Sequence, residues 1–342
     1  MVLIFFLCFA DREISFAKIR NNFVSLQKNM TPKKFISILT PCFNETENVD
    51  LLCTKIRETL VLLPDYDYEH VFIDNASTDD TVAKIKAQIA KDKRIKLIVN
   101  ARNFGHIRSP FHGLKQCHGD AVIAMASDLQ DPPEKIIDLV KKWEEGYKIV
   151  IGVKTKSKEN WLMYKLRSMF YGVISRVSET EQIKQFTGFG LYDKAFVDVL
   201  REVDDPYPYF RGLISELGFE RAEVEFVQPK RERGKTKNNF YTLYDMAMLG
   251  FVSHSKLPLR LASFIGFGVA ILSLFAAVGY FIYKLCFWDS FSVGTAPLVI
   301  GLFFFSSVQL FFIGIIGEYV GSIHTQVRKR PLVIEKERVN FS

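Results

Sequence analysis

Cysteine is scarce in this sequence, and the few cysteines show no pattern. They are odd in number, five, and no two have the spacing of a metal site. A disulfide framework and a cysteine-ligated metal site are therefore excluded, and a reducing compartment is expected. The five are Cys8, Cys42, Cys53, Cys117 and Cys286.

The two common glycine-rich phosphate loops are also missing. No Gly-x-Gly-x-x-Gly follows the first predicted strand, and the full Gly-x-x-x-x-Gly-Lys-Ser/Thr motif does not occur. These absences exclude the usual dinucleotide-binding domain and a P-loop ATPase. Any bound phosphate must then be neutralised by a metal ion and by side chains.

The start of the chain lacks the features of a signal peptide. No basic residue precedes the apolar stretch 2–10, which is too short to cross a bilayer. We predict that residues 1–32 are an N-terminal extension, with Met30 as the effective first residue. The alternative is a helix on the membrane surface.

Aromatic residues, by contrast, are abundant. They make up 14% of the 342 residues, with 31 Phe, and the formal net charge is +7. The aromatic content indicates a membrane part, and the positive charge suits contact with anionic lipid or phosphate. The length allows one large or two ordinary domains.

Two long runs near the C-terminus carry no charge. Residues 261–283 form a run of 23, and residues 296–317 a run of 22. About 20 residues cross a hydrocarbon core of ~30 Å, so we predict two transmembrane helices within a segment 259–322. Basic residues flank both ends, at Arg260 and at 328–330. The positive-inside rule then places the first half of the chain and both termini in the cytoplasm.

The first half of the chain alternates apolar runs with helical patterns. This alternation predicts an α/β fold with a mostly parallel sheet and helices on both faces. Asn44 and Glu47 predict a capping box for the helix whose apolar stripe begins at Val49. The predicted strands are 35–40, 71–73, 95–99, 121–125 and 149–153.

Polar clusters follow these strands, and so gather along one edge of the sheet. The most distinct of these polar clusters is the turn that contains Asp128, Gln130 and Asp131, where an apolar strand ends before two prolines. Two carboxylates so close repel each other unless a divalent cation lies between them and a substrate phosphate. A solvated acidic turn is the alternative.

Four motifs in this order resemble the family 2 glycosyltransferases with a GT-A fold, specifically the polyprenyl-phosphate glycosyltransferases. The likeness covers roughly residues 33–335. The motifs are Pro41-Cys-Phe-Asn-Glu45, Asp74-x-x-Ser77-x-Asp79, Arg102-Asn-Phe-Gly-His106 and Asp128-Leu-Gln-Asp-Pro-Pro-Glu134.

The resemblance implies roles for these residues. Asp128 and Gln130 would hold Mg²⁺ or Mn²⁺ on the donor diphosphate, with Asp128 acting as a catalytic residue. The nucleotide would be bound by the first two motifs and the acidic turn, at Pro41, Phe43, Glu45, Asp74, Ser77 and Asp128. Ordinary turn packing is the alternative for Pro41 and Phe43. For Arg102 and His106, the alternative is a structural role that ties the loop after the third strand to the edge of the sheet.

Basic residues supply the expected acceptor side. Lys154 and Arg231 are the further catalytic candidates, and Arg211 follows a proline-shaped turn. The set expected to bind the acceptor phosphate and the diphosphate is Lys154, Arg211, Arg231, Arg233, Lys235 and Lys237. The last four alternatively bind anionic lipid beside the membrane.

The predicted domains follow from these features. A glycosyltransferase domain spans 33–237, a juxtamembrane amphipathic helix 238–258, and a cytosolic C-terminal tail 323–342. Glycine pairs in the two apolar runs allow close helix packing, so a homo-oligomer is expected. No nucleic-acid partner is expected.

The sequence departs from the family where charge is usual. The family carries Asp-x-Asp where this chain has Ala126-Ser-Asp128, and Gly-Asp-Phe-Arg-Leu where it has Thr187-Gly188-Phe-Gly190-Leu. Gly188 therefore stands where the family carries the Asp that is often assigned as the base. A lipid phosphate, with a second pKa near ~6, is already a nucleophile and needs no base.

The expected reaction is an inverting transfer of a sugar from a nucleotide sugar, with UDP as the expected nucleotide, to polyprenyl (undecaprenyl) phosphate. It would occur at the cytoplasmic face of the inner membrane. The alternatives are a non-catalytic subunit that assists a lipid-linked sugar flippase, and a transferase acting on a sugar hydroxyl.

Overall fold

The computed structural model describes residues 33–155, 183, 185–229, 257–287, 295–328 and 330–341. Eight strands form one mixed sheet in the order β7-β5-β6-β4-β1-β2-β3-β8. The strands are β1 Lys34–Cys42, β2 Tyr66–Asp74, β3 Ile95–Asn100, β4 Ala121–Ala124, β5 Ile149–Lys154, β6 Phe186–Asp193, β7 Arg221–Phe226 and β8 Glu335–Val339.

The centre of the sheet is parallel, as predicted. β1 pairs in parallel with β2 and β4, and β2 pairs in parallel with β3. These strands are buried on both faces, which is why they read as continuous apolar runs. In β2, for example, Phe72 faces one hydrophobic cluster while Val71 and Ile73 face the other.

Helices cover both faces of the sheet. One cluster buries residues of α1, α2 and α4, and the opposite cluster buries residues of α3, α5 and α6. A short 3₁₀ turn, Pro133–Lys135, precedes α4. The helices are α1 Val49–Val61, α2 Thr81–Lys91, α3 Gly105–Gln116, α4 Ile136–Glu144, α5 Lys194–Glu202, α6 Phe210–Glu216, α7 Leu257–Cys286 and α8 Thr295–Val327.

The predicted capping box is wrong. The N-cap of α1 is Asn48, and its side chain makes no capping hydrogen bond. Asn44 instead has a positive φ of 55°, and its Oδ1 accepts a hydrogen bond from Thr78 N–H at 2.8 Å. Asn44 therefore joins two loops rather than starting a helix.

Three strands were not predicted. β6 is antiparallel to both β4 and β5, and β7 is parallel to β5. β8 comes from the segment predicted as a C-terminal tail and pairs antiparallel with β3. The chain after the last helix thus returns to the sheet and covers one of its edges.

Two long apolar helices lie between β7 and β8 in the chain. Within the described residues, Phe304–Val327 is long and apolar enough to cross a membrane, and its most apolar window is not buried in the protein. Ala262–Ala276 is a shorter apolar stretch of α7. The predicted pair of spans stays a prediction, as do the domain boundaries. Residues 1–32 and 238–256 lie outside the described residues.

Candidate active site

The carboxyl ends of β1, β2 and β4 lie together at one edge of the sheet. Cys42 pairs with Asp74 at the ends of β1 and β2, and Leu39 pairs with Ala124 near the end of β4. The loops that follow these strands are therefore neighbours. Open α/β sheets bind ligands at this edge, outside the carboxyl ends of the strands.

Asp74 connects the first two loops. Its side chain is fully buried and accepts hydrogen bonds from the N–H of Ser77, at 2.9 Å, and from the Ser77 hydroxyl. Ser77 Oγ in turn accepts a bond from Asn44 N–H at 2.8 Å. Burial raises the pKa of Asp74, and the bonds from Ser77 oppose that rise. In this geometry Asp74 shapes the loops, with its carboxylate enclosed by them.

The remaining residues of the first motif lie on the rim. Pro41, Phe43 and Glu45 are half-buried. The carboxylate of Glu45 accepts a hydrogen bond from Asn48 Nδ2 at 2.6 Å, and its backbone N–H donates to Thr81 Oγ1 at 2.9 Å. The structure thus brings together the predicted nucleotide residues of the first two motifs.

The acidic turn separates its two carboxylates. Asp131 is only 4% exposed and accepts a hydrogen bond from Ala126 N–H at 2.8 Å. Burial raises the pKa of Asp131 to about 6, and the charge of Asp128 acts in the same direction. Asp128 is half-buried and accepts a bond from Gln130 N–H at 3.1 Å. The expectation of a cation between both carboxylates is therefore wrong, because Asp131 is enclosed by its own turn.

A divalent cation still fits Asp128. Among the described residues, no group of three or more His, Cys, Asp or Glu side chains could hold a metal ion. Mg²⁺ commonly needs only one or two carboxylates, with water and substrate phosphates completing its shell. Asp128, with the half-buried Gln130 beside it, offers oxygen donors of this kind. The donor set thus suits a cation carried by the substrate rather than one held in a protein cage.

Basic side chains lie on the β5–β6 side of this edge. Lys154 ends β5, and its Nζ donates to Gln228 Oε1 at 2.6 Å. Its charge acts on Asp131 and lowers the pKa that burial raises, so the two groups are neighbours. Arg211 donates to the carbonyl oxygen of Phe186, where β6 begins. The predicted residues Arg231, Arg233, Lys235 and Lys237 lie outside the described residues.

The two glycines at the departures from the family are fixed by the backbone. Gly188 has φ +102°, and a Cβ there would meet nothing within 4 Å. Gly190 pairs with Ala124 and Ile151, and a Cβ there would lie 2.5 Å from the Val150 carbonyl oxygen. A side chain at 190 therefore requires the strands to move apart.

An amide network beside the site was not predicted. Asn75 Oδ1 accepts bonds from Phe104 N–H at 2.8 Å and from Asn100 Nδ2 at 3.1 Å. Asn75 Nδ2 donates to Asn103 Oδ1 at 2.9 Å, and Asn100 Nδ2 also donates to Ser109 Oγ at 2.9 Å. The available signal was an Asn at the end of each strand, since Asn75 directly follows β2 and Asn100 is the last residue of β3. Arg102 stacks on Phe104 at 4.1 Å, which fits its structural reading.

The comparisons with known proteins agree with this architecture. Residues 37–200 match the family model "Glycosyl transferase family 2". The chain is 34% identical over 304 residues to the SfII prophage-derived bactoprenol glucosyl transferase of Shigella flexneri, covering 88% of this chain and 97% of that protein. It is 32% identical to the uncharacterized glycosyltransferase YkcC of Bacillus subtilis, covering 87% and 92% of the two chains.

Solved structures match part of the chain at low similarity. Glucosyl-3-phosphoglycerate synthase from Mycobacterium tuberculosis, crystallised with Mn²⁺, UDP and phosphoglyceric acid, is 17% identical, with a TM-score of 0.43. The match covers 64% of this chain and 76% of that one. This likeness is too distant to support an argument about chemistry.

The sheet, its two helical layers and its single polar edge are those of a GT-A enzyme that transfers sugars. The chain belongs to glycosyl transferase family 2. Its relatives confirm the resemblance to the polyprenyl-phosphate type.

Proposed function

We propose that the protein transfers one sugar, with inversion, from a UDP-sugar to the phosphate of undecaprenyl phosphate or a similar polyprenyl phosphate. The similarity to bactoprenol glucosyl transferases carries this proposal. It extends over 88% of this chain and 97% of that relative, well beyond the residues that match the family model. The apolar C-terminal helices are thus part of what the two proteins share.

The geometry at Gly188 supports an acceptor that arrives ionised. A hydroxyl nucleophile needs a general base within hydrogen-bond reach, and no side chain exists at this position. A phosphate monoester is largely a dianion at neutral pH, because its second pKa is ~6. Such a nucleophile needs positioning and relief from repulsion by the donor diphosphate, and basic residues with a cation supply both.

In this proposal, separate groups of residues bind the cation, the nucleotide and the phosphates. Asp128, aided by Gln130, holds Mg²⁺ or Mn²⁺ against the donor diphosphate. The cation neutralises the charge that develops on the leaving diphosphate. Pro41, Phe43, Glu45, Asp74 and Ser77 form the nucleotide loops. The acceptor phosphate and the diphosphate are bound by Lys154, Arg211, Arg231, Arg233, Lys235 and Lys237.

The reaction occurs at the cytoplasmic face of the inner membrane. In this proposal residues 261–283 and 296–317 both span, so the catalytic domain and both termini are cytoplasmic. The basic residues that flank these runs support this orientation. Glycines such as Gly266 and Gly314 have open space around them, which suits helix packing in a homo-oligomer. Crosslinking in native membranes that yields only monomer contradicts the oligomer.

A donor screen tests the proposed function. The full chain in membranes is incubated with undecaprenyl phosphate, a divalent cation and one radiolabelled nucleotide sugar at a time. Label is expected in the lipid fraction with one donor, and not when undecaprenol replaces its phosphate. Transfer to soluble alcohols instead contradicts the proposal.

Ala126 favours a second candidate, since the family usually carries a carboxylate at that position. This candidate is a non-catalytic membrane subunit that assists a lipid-linked sugar flippase. Binding of a nucleotide sugar without turnover, across all donors, supports the subunit and contradicts the enzyme.

A further inference from the structure

Arg108 carries a buried donor that has no acceptor. Its Nε is inaccessible to solvent, and no hydrogen-bond partner reaches it in the part of the chain that the structure describes. Buried donors in native proteins nearly always have an acceptor, and each exception calls for an explanation. The guanidinium is permanently charged and has a planar fork of donors that suits phosphate oxygens.

The backbone around Arg108 is held firmly. The next residue, Ser109, accepts a hydrogen bond from Asn100 Nδ2 at 2.9 Å. The carbonyl oxygen of Gly105, three residues earlier, accepts one from Asn75 Nδ2 at 3.2 Å. The backbone of Arg108 is therefore held in place by residues at the ends of β2 and β3. This lowers the entropy that is lost when the Arg108 side chain binds a ligand.

The loop between α5 and α6 brings an aromatic ring to this guanidinium. Val203, at its start, accepts a hydrogen bond from Lys115 Nζ at 2.7 Å, and Tyr207 lies with its ring centroid 5.3 Å from the Arg108 guanidinium. Lys115 and Arg108 are about two helical turns apart, ~10 Å, which four extended residues can span. The loop thus runs alongside α3 back to the carboxyl edge. Buried Pro206 and Pro208 flank Tyr207 and stiffen it.

The same loop delivers Arg211 to this edge. Arg211 donates to the carbonyl oxygen of Phe186, which pairs with Val153 at the end of β5. Two residues further along β6 comes Gly188, with open space where a side chain would be. Phe210 packs against Phe111 of α3, with ring centroids 6.3 Å apart, and so fixes α6 to α3. Arg211 therefore lies at the start of β6, and Tyr207, four residues earlier in the chain, contacts Arg108.

We propose that Arg108 is a phosphate-binding residue for the acceptor, acting with Arg211 on the β6 side of the site. This inference rests on the proposed function and names a residue that it did not include. The acceptor phosphate is favoured over the donor diphosphate because Tyr207 and Arg211 connect Arg108 to the start of β6. β6 lies on the side of β4 away from β1 and β2, whose loops form the nucleotide rim. A phosphate monoester beside Arg108 gives the Nε–H the acceptor that it lacks.

The test compares Arg108→Gln with wild type in the full chain, using three ligands. These are phosphatidylcholine vesicles with undecaprenyl phosphate, the same vesicles with phosphatidylglycerol, and UDP in solution. A charge-assisted hydrogen bond lost from a phosphate weakens binding by about tenfold to a hundredfold. We expect that loss for undecaprenyl phosphate alone, and an equal rise in its KM during transfer. The KM of the nucleotide sugar is expected to stay within twofold.

Arg57→Gln is the matched control, because Arg57 lies on the exposed surface of α1 beside Asp92. Arg108→Lys keeps the charge and loses the fork, so it is expected to lose several-fold in acceptor affinity. If Arg108→Gln does not fold, Arg108→Lys replaces it in the test. Unchanged acceptor affinity in the folded variants overturns the inference, as does an equal loss for UDP or for phosphatidylglycerol. If wild type itself makes no labelled lipid but still binds undecaprenyl phosphate through Arg108, the proposed function fails and this inference stands.

Discussion

Nε2 of His112 lies 2.6 Å from Oε1 of Glu335, which joins helix α3 to the strand that follows the last apolar helix. Arg338 also donates to Glu335, and the carbonyl oxygen of Ile334 accepts a bond from Ala101 N–H at 2.8 Å. Burial alone would raise the pKa of Glu335, but the bonds from Arg338 and His112 hold it below its ordinary value. The end of the chain is thus attached to the loop after β3, beside the nucleotide rim.

We predict that Glu335→Gln lowers the melting temperature of the full chain in detergent by about 2–4 °C, equivalent to roughly 1 kcal/mol. The Glu335 side chain is 18% exposed and accepts from two partners, so its charge is poorly screened. Glu337→Gln is the matched control on the same strand. Its side chain is 43% exposed and pairs with Lys86, and a pair of that kind contributes little. Equal shifts in the two variants contradict the prediction.

The strands that the sequence predicts differ in one physical respect from the edge strand β8, which it misses. The parallel strands β1 to β5 are shielded by helices on both faces, so apolar residues dominate them. β8 reads Glu-Lys-Glu-Arg-Val, because an edge strand faces solvent and carries charge. No apolar periodicity marks such a strand, and only its partner β3 identifies it.

The site shows the same limit. The residue types at the edge were predictable, because strand ends are visible in the sequence. Their hydrogen bonds were not, since those depend on which loops become neighbours. Asp131 and Asp128 look equivalent in sequence, yet one bonds to Ala126 N–H inside the turn while the other is half-buried at the surface. Arg108 carries no motif, and only Tyr207 and the unpaired Nε draw attention to it.

Asp128→Asn is expected to lower kcat/KM for sugar transfer by about a hundredfold or more, because the cation loses its only charged ligand from the turn. Raising the Mg²⁺ or Mn²⁺ concentration is expected to recover part of the loss. Asp138→Asn is the control, since Asp138 lies on α4 and pairs with Lys135 at 2.8 Å. Label transfer measured across a metal titration checks this. Wild-type rates in Asp128→Asn contradict the role of Asp128.

His70 is expected to make the fold sensitive to acid. It is buried, with Nε2 2.9 Å from Thr40 Oγ1, and burial lowers its pKa from 6.5 to about 3. The neutral form is therefore favoured in the folded chain. Its stabilising contribution is complete above pH 6.5 and is lost as pH falls toward 3, at about 1.4 kcal/mol per pH unit.

His70→Gln removes this titration. The variant is expected to be less stable than wild type at pH 7.5, because the ring packs on Phe72 at 4.1 Å. The difference is expected to shrink as pH falls from 6.5 to 5. Exposed His118 provides the control variant His118→Gln, which should leave the pH dependence of wild type unchanged. Thermal melts between pH 7.5 and 5 check this prediction. If the melting temperatures of wild type and His70→Gln change with pH in parallel, protonation of His70 is not the cause.

Gly188→Asp tests whether the missing base matters. An ionised acceptor phosphate has no proton to give up, so we expect no gain in the rate of transfer. A new carboxylate in the open space at Gly188 is instead expected to repel the phosphate dianion and raise its KM. Gly218→Asp is the matched control, because Gly218 also has a positive φ, +67°, with open space around it. It introduces the same charge at another positive-φ position, in the turn before β7.

The pH dependence separates this explanation from simple damage. If the dianion is the nucleophile, kcat/KM of wild type for the lipid falls about tenfold per pH unit below pH ~6, as the phosphate is protonated. Gly188→Asp keeps that profile at a lower level, since the ionising group belongs to the substrate and not to position 188. An enzyme whose acceptor needs a general base, missing at position 188, would behave in the opposite way. Its rate would rise in Gly188→Asp, its profile would follow the new carboxyl group, and it would begin to accept alcohols.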